Sequence, residues 1–97
     1  MTFRFLLPAE AELREGISYY SAIHSELGGR FEQAVAEAVR NLVANPERGA
    51  SRPNAPRRWL VKGFPFGIIY RVSESEVLIV AVAHQRKKPE YWAGRIE

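Results

Sequence analysis

The chain has 97 residues, which is enough for one small domain and too few for two. With 46% hydrophobic and 26% charged residues, its composition is that of a folded protein, and the absence of cysteine excludes disulfides and thiolate chemistry. No apolar run approaches the roughly 20 residues of a membrane-spanning helix, and the N-terminal apolar patch turns acidic too soon for a signal peptide. We therefore expect a single cytoplasmic domain over residues 1–97.

The net charge of +3 is unevenly distributed along the chain. Residues 1–47 contain four Arg and seven Glu, a net charge of −3, whereas residues 48–97 contain ten Lys or Arg and four Glu, a net charge of +6. The basic half is the expected contact surface for phosphates or for an acidic polypeptide. Ordinary solvated surface charge in so short a chain would give the same asymmetry.

The first half of the chain predicts a strand and two helices. Residues 3–7 are aromatic and apolar, and Pro8 both ends this strand and suits the first position of a helix. Apolar residues then recur at helical spacing, first at Leu13, Ile17, Tyr20 and Leu27 and then at Phe31, Val35, Ala38 and Leu42. Because Gly28-Gly29 interrupts the pattern and Asn45-Pro46 stops it, we expect an antiparallel helical hairpin over roughly residues 9–27 and 29–45.

The second half predicts a sheet. After a Pro- and Arg-rich loop at residues 46–58, the segments RWLVKGF, FGIIYRV and VLIVAVAH have the composition of strands, and the polar turn at residues 73–76 makes the last two an antiparallel hairpin. Val77 to Ala83 is apolar at both parities, which is typical of a strand covered on both faces. Strict alternation would place Leu78, Val80, Val82 and His84 on one face.

The expected fold is therefore α+β, with the order β-α-α-β-β-β. An N-terminal strand and the helical hairpin pack on a small, mostly antiparallel sheet, and a short turn or helix ends the chain. The expected core residues are Leu13, Ile17, Tyr20, Phe31, Val35, Leu42, Ile69, Val80 and Val82.

The residues that follow the last strand could carry chemistry. An RNA-cleaving site needs a general base, a general acid and cations beside the phosphate, and His84, Arg86, Lys87 and Tyr91 contain all these groups. A structural histidine followed by a basic surface loop would look the same. No metal-ligand spacing and no phosphate-binding glycine loop is present, so no cofactor and no metal are expected.

Other basic and aromatic residues also admit two interpretations. Arg57, Arg58 and Lys62 could extend a basic field for phosphates, or they could simply protect an edge strand. Tyr91 and Trp92 could stack on nucleic-acid bases, or they could anchor the C-terminal turn on the sheet.

Four segments in order resemble one known family. They are ELREGISYY, LGGRFEQAVAEAVRNLVANPERG, RRWLVKGFPFGIIYRV and VLIVAVAHQRKKPEYWAGR, and together they cover nearly the whole chain. The chain resembles the RelE/ParE superfamily of toxins from type II toxin–antitoxin modules, also called plasmid stabilisation proteins. The resemblance implies a small growth-inhibiting toxin that a cognate antitoxin holds inactive.

The family contains two kinds of activity. RelE-like members cut messenger RNA on the ribosome with a scattered set of basic residues and a tyrosine, whereas ParE-like members inhibit DNA gyrase and lack that set. Tyr91 falls where the RelE-like tyrosine is expected, but the strand arginine is replaced by Gly67 and the position after His84 holds Gln85. The resemblance therefore favours a ParE-like toxin, with a RelE-like ribonuclease as the alternative.

These two activities assign the same basic residues different roles. If the chain is RelE-like, the catalytic residues are His84, Arg86, Lys87 and Tyr91. If it is ParE-like, the residues that bind the target or the antitoxin are Arg57, Arg58, Lys62, Arg86, Lys87 and Trp92. In either case, we expect His84, Arg86, Lys87 and Tyr91 to form one exposed rim at the end of the last strand.

Overall fold

The computed structural model describes residues 1–48 and 55–96. Its elements are β1 (Thr2–Phe5), α1 (Leu7–Ile23), α2 (Leu27–Ala44), β2 (Arg57–Leu60), β3 (Phe66–Val72), β4 (Glu76–His84) and a short 3-10 helix (Ala93–Arg95). The predicted α+β class and the predicted element order are confirmed. None of the described helices is long and apolar enough to cross a membrane.

The four strands form one mixed sheet in the order β1-β4-β3-β2. The strands β2, β3 and β4 are antiparallel neighbours, and β1 runs parallel to the first half of β4, from Thr2 opposite Glu76 to Phe5 opposite Ile79. The chain leaves the sheet directly after β1, so no strand from residues 1–48 or 55–96 lies beside the second half of β4 on that side.

The helical hairpin covers one face of this sheet. Apolar residues of α2 and of the central strands form one buried core. The helix contributes Phe31, Val35, Ala38, Val39 and Leu42, and the sheet contributes Ile68, Tyr70, Val77, Ile79 and Val82. The apolar stripe of α1 lies at the edge of this core, where Leu13, Ile17 and Tyr20 are half-buried. The core prediction is thus confirmed for the second helix and the strands, while the first helix contributes less burial than expected.

The opposite face is covered by the end of the chain. Ile69, Val80, Ala81 and Ala83 are buried there, and Tyr91, Trp92 and Ile96 pack against them. The apolar run from Val77 to Ala83 therefore lies in a strand that is covered on both faces, as predicted. Burial on both faces removes apolar area from water, which stabilises the fold.

A bulge in β4 changes the predicted alternation. Ile69 pairs with Ala81, but the next residue of β3, Tyr70, pairs with Ile79. Val80 is therefore an extra residue that pairs with no residue of β3. One extra residue reverses which side chains face the helices. Val82 and His84 therefore lie on the helix-covered face with Ile79, and the prediction that they share a face with Leu78 and Val80 is wrong.

The boundary between the helices also differs from the prediction. The break lies at residues 24–26, and Gly28 and Gly29 belong to the first turn of α2. Gly28 is buried where the helices meet, and a Cβ atom at this position would collide with the Ser21 hydroxyl and lie 2.7 Å from the Ile17 carbonyl oxygen. The first glycine therefore permits close helix packing and does not end a helix.

Candidate functional site

A groove of about 590 Å³ lies between α1 and the free end of β4. Its apolar lining includes Tyr19, Tyr20, Ile23, Pro65, Phe66 and Val82, and its polar lining includes Glu12, Glu15, His84, Arg86 and Lys87. Tyr19 and Ile23 expose 63% and 58% of their surface, which is unusual for large apolar residues that lie together. The groove thus combines an exposed apolar surface with charged side chains.

His84 has a structural environment within this groove. Its ring packs edge to face against Phe66, with the ring centroids 5.0 Å apart. Its Nδ1 atom accepts a hydrogen bond from the backbone N–H of Arg86, at 3.0 Å, which fixes the turn that follows β4. The imidazole therefore holds the backbone of the turn that carries Arg86 and Lys87. Both side chains are exposed, and neither has a carboxylate partner among the described residues.

Tyr91, the fourth residue of the expected rim, is held by an ion pair that sequence patterns did not indicate. Its hydroxyl donates a 2.6 Å hydrogen bond to Glu12 Oε2. The Arg95 guanidinium donates to both oxygens of the same carboxylate, at 2.9 and 3.0 Å. Glu12 and Arg95 are 83 positions apart in the chain, so only the folded structure brings them together.

The protonation of this cluster follows from its contacts. Burial raises the pKa of the Tyr91 hydroxyl, and its hydrogen bond to the Glu12 carboxylate raises it further. Burial alone would also raise the pKa of Glu12, but hydrogen bonds from Arg95, Tyr91 and the Val82 amide hold this pKa below its ordinary value. Glu12 is therefore a firmly ionised acceptor, and Tyr91 is a hydroxyl that keeps its proton.

The same ion pair closes the unpaired edge of β4. The N–H of Val82 donates to Glu12 Oε1 at 3.0 Å, and the carbonyl of Val80 accepts from Arg95 Nη1 at 3.0 Å. These backbone groups lie at and beyond the bulge, where β1 no longer pairs with β4. Side chains from α1 and from the end of the chain thus supply the hydrogen bonds that a neighbouring strand would otherwise make.

A second cavity, of about 210 Å³, lies between the end of β4 and the C-terminal segment. It is lined by Arg58, Lys87, Lys88, Glu90 and the aromatic pair Tyr91 and Trp92, among others. The guanidinium of Arg58 lies directly over Gly67: a Cβ atom at that glycine would be 2.6 Å from Nε, 2.7 Å from Cζ and 2.9 Å from Nη2. A cation therefore occupies the sheet surface at the position where the sequence suggested that none was available.

The other predicted contact residues lie elsewhere. Arg57 is buried and pairs with Glu47 at 3.1 Å while it also donates to the Pro46 carbonyl, so it joins β2 to the end of α2 and is not part of an exposed surface. Lys62 is exposed beside a separate cavity between α2 and β2. Trp92 is half-buried on the second face of the sheet.

The expected rim thus extends over two surfaces that share His84 and Lys87. His84, Arg86 and Lys87 line the groove, whereas the Tyr91 ring packs against the opposite face of the sheet. His84, Lys87 and Tyr91 all line the second cavity, where Lys87 Nζ lies 5.5 Å from the centre of the Tyr91 ring. Among residues 1–48 and 55–96, no three His, Asp or Glu side chains come together in a way that could hold a metal ion.

The helical hairpin on a four-stranded sheet, with a groove beside the free end of β4, defines a small α+β protein, and comparison with known proteins identifies its family. The profile of the ParE toxin of the type II toxin–antitoxin system parDE matches residues 3–89. The chain belongs to this ParE toxin family.

A solved structure agrees with the family. A chain of the chromosomal ParDE TA system from P. aeruginosa is similar with a TM-score of 0.71 and 25% sequence identity, over 87% of this chain and 95% of that one. No curated protein matches the sequence.

Proposed function

We propose that this toxin inhibits DNA gyrase by binding to it, that it acts in the cytoplasm, and that a cognate antitoxin neutralises it by covering the same surface. The observation that carries the choice of binding over RNA cleavage is the hydrogen bond made by the Tyr91 hydroxyl. Its hydroxyl is engaged by Glu12 at 2.6 Å, and its ring belongs to the face of the sheet opposite to that of His84. A general acid must donate its proton to the substrate, and a hydroxyl that already donates to the Glu12 carboxylate is poorly placed for that role.

The surface that we assign to the target is centred on Arg86 and Lys87. Both are exposed, both lack a carboxylate partner among the described residues, and the turn that carries them is fixed by His84. Unpaired cations on a fixed turn suit an acidic surface, since complementary charges steer association and set orientation.

The groove beside this turn suits the antitoxin. An amphipathic segment could bury its apolar side chains against Tyr19, Ile23 and Phe66 and place acidic residues near Arg86 and Lys87. An antitoxin bound in this way would cover the residues that we assign to the target, so neutralisation would need no conformational change in the toxin.

Expression without the antitoxin tests the proposal. The double variant Arg86→Glu/Lys87→Glu should lose toxicity, whereas His84→Asn should retain most of it, because the Oδ1 atom of asparagine stands where Nδ1 does and can still accept the hydrogen bond that holds the turn. The matched control is Arg30→Glu/Arg40→Glu, which makes the same charge change on the exposed side of α2. Growth, plasmid supercoiling and messenger RNA integrity are measured for each.

Inhibited supercoiling with intact messenger RNA is the expected result for the wild type. Cleavage of messenger RNA that disappears in Tyr91→Phe would contradict the proposal and would assign the chain to the ribosome-dependent ribonucleases.

A further inference from the structure

The outer edge of β2 presents backbone groups that no described strand uses. Val61 donates its N–H to the Phe66 carbonyl at 2.9 Å, in the same register as the rest of the pairing between β2 and β3. Because residues of an antiparallel pair alternate between bonded and non-bonded positions, the N–H and C=O groups of Arg58 and Leu60 point away from β3. No other described strand lies beside β2 on that side, so these groups can pair with a further strand.

The charged side chain that would protect this edge is turned away from it. Edge strands are commonly protected by lysine or arginine side chains that extend into solvent. The Arg58 guanidinium instead lies back across β3, over Gly67, where a Cβ atom would be 2.6 Å from Nε and 2.7 Å from Cζ. Leu60, the other outward residue, exposes 71% of its surface. The edge therefore combines unpaired backbone groups with an exposed apolar side chain.

The residues of β2 fit a second copy of the same strand in one register. Strands related by a two-fold axis at their edges are antiparallel, and outward residues must stand opposite outward residues. An axis at Arg58 places two arginines opposite each other, and an axis at Leu60 places Arg58 opposite Lys62, so both registers set like charges against each other. An axis at Trp59 instead places Arg58 opposite Leu60 on both sides, which allows four backbone hydrogen bonds.

Trp59 adds a favourable contact in this register. Its side chain is half-buried on the helix-covered face of the sheet, where the Arg48 guanidinium lies 5.0 Å from the centre of the ring. In the two-fold arrangement the two Trp59 residues occupy a non-bonded position, where opposite side chains approach most closely. Aromatic pairs at opposite positions stabilise neighbouring strands.

We propose that two copies of this chain pair through the outer edges of β2, antiparallel about a two-fold axis at Trp59, and so join their two sheets into one. A four-residue edge makes a small interface, so the dimer is weak and forms as the concentration rises. In the strand order β1-β4-β3-β2, this edge is on the other side of the sheet from the groove beside β4, so the groove stays open in both copies. Dimer formation is therefore independent of which target the toxin inhibits.

The oligomeric state of the full chain at neutral pH tests the proposal. Sedimentation velocity over a series of concentrations should show a monomer–dimer equilibrium. Amide hydrogen exchange locates the contact: the N–H groups of Arg58 and Leu60 should gain protection as the dimer forms. The amides of β1 are the internal control, because β1 is the other outer strand of the sheet and takes no part in the dimer.

Two substitutions at one exposed position should have different effects. Leu60→Arg should raise the dissociation constant of the dimer about tenfold, because an added arginine then stands opposite Arg58 on both sides of the axis. Leu60→Glu places a carboxylate there and should preserve or tighten the dimer. The matched control is Leu7→Arg, at a leucine that exposes 77% of its surface at the start of α1, and it should leave the equilibrium unchanged.

Several results would overturn the proposal. They are a chain that stays monomeric at every concentration, a dimer that responds equally to Leu60→Arg and Leu60→Glu, and protection of the Arg58 and Leu60 amides only when the antitoxin is added. The last result would assign the edge to the antitoxin. Circular dichroism checks that each variant is folded, and the amide protection of the wild type decides the question even if one variant is not.

Discussion

Replacing Glu12 with glutamine should lower the free energy of unfolding by roughly 1.5–3 kcal/mol, the range for hydrogen bonds to charged groups. The carboxylate receives hydrogen bonds from Arg95, Tyr91 and the Val82 amide, and a neutral amide cannot satisfy all three. Glu15→Gln, one turn further along α1 at an exposed position, is the matched control and should change stability very little. Chemical denaturation measures both, and equal effects would contradict the role of Glu12.

The same carboxylate should make the wild type sensitive to acid. Because its contacts lower the pKa of Glu12 in the folded chain, its contribution to stability is fully present above the ordinary value of 4.5 and is lost as the pH falls through the lower folded-state value. Thermal melts at decreasing pH should show this loss in the wild type. Glu12→Gln should show a weaker dependence over the same range, and parallel curves would argue against it.

Sequence reasoning identified the basic residues of the site but not the pair that organises it. Arg86 and Lys87 could be singled out because charges that follow an apolar strand are visible in a local window. Glu12 and Arg95 could not, since each looks like an ordinary surface charge and their contact depends on how α1 and the chain end meet at β4. The position of the Arg58 guanidinium over β3 could not be predicted either, because it depends on the absence of a side chain at Gly67.

At the scale of the elements, two neighbouring glycines in the first turn of α2 should respond in opposite ways to alanine. Gly28→Ala should destabilise the chain by roughly 1–3 kcal/mol, since the new methyl group meets Ser21 and the Ile17 carbonyl where the two helices touch. Gly29→Ala meets no atom within 4 Å and should stabilise it by about 0.5 kcal/mol through lower entropy of the unfolded chain. Two changes of the same sign in denaturation experiments would contradict the helix contact.

The bulge in β4 makes a second prediction at this scale. Val80→Ala and Val82→Ala should each cost on the order of 1–3 kcal/mol, because both side chains are buried, but on opposite faces of the sheet. Val80→Ala should increase amide exchange in residues 91–96, which pack on its face, and Val82→Ala should not. Identical exchange in the two variants would mean that the faces are wrongly assigned.

The predicted elements hold because their causes are local. Apolar spacing of about 3.6 residues marks α2, and the polar turn after Val72 marks the hairpin of β3 and β4. The faces of β4 could not be predicted in the same way. A bulge arises from how two strands pair, and an apolar run at both parities contains no signal of the reversal at Val80.

At the scale of the whole molecule, the charge asymmetry predicts how the antitoxin binds. The basic half, residues 48–97 with a net charge of +6, contains Arg86 and Lys87 beside the groove. Binding of an acidic antitoxin segment should therefore weaken as salt rises, since exposed charges are screened over about 10 Å at 0.1 M. Titration calorimetry at several salt concentrations measures this, with Arg86→Glu/Lys87→Glu as the variant that should lose most of the dependence.

A salt-independent affinity, or an interface that leaves the groove exposed, would contradict this prediction. Retained salt dependence in the double variant would move the electrostatic contact to other cations of the basic half.

The closure of β4 by Glu12 and Arg95 has a consequence for how the protein behaves in a crowded solution. Open strand edges are templates on which other chains can add and aggregate, and buried charges at an edge are one of the ways in which proteins prevent this. The outer strands β1 and β2 have only four residues each, so the free half of β4 is the stretch most in need of protection. Because an ion pair protects this edge, acid that protonates Glu12 should also release the Val82 amide. Self-association of the toxin should then begin at this edge.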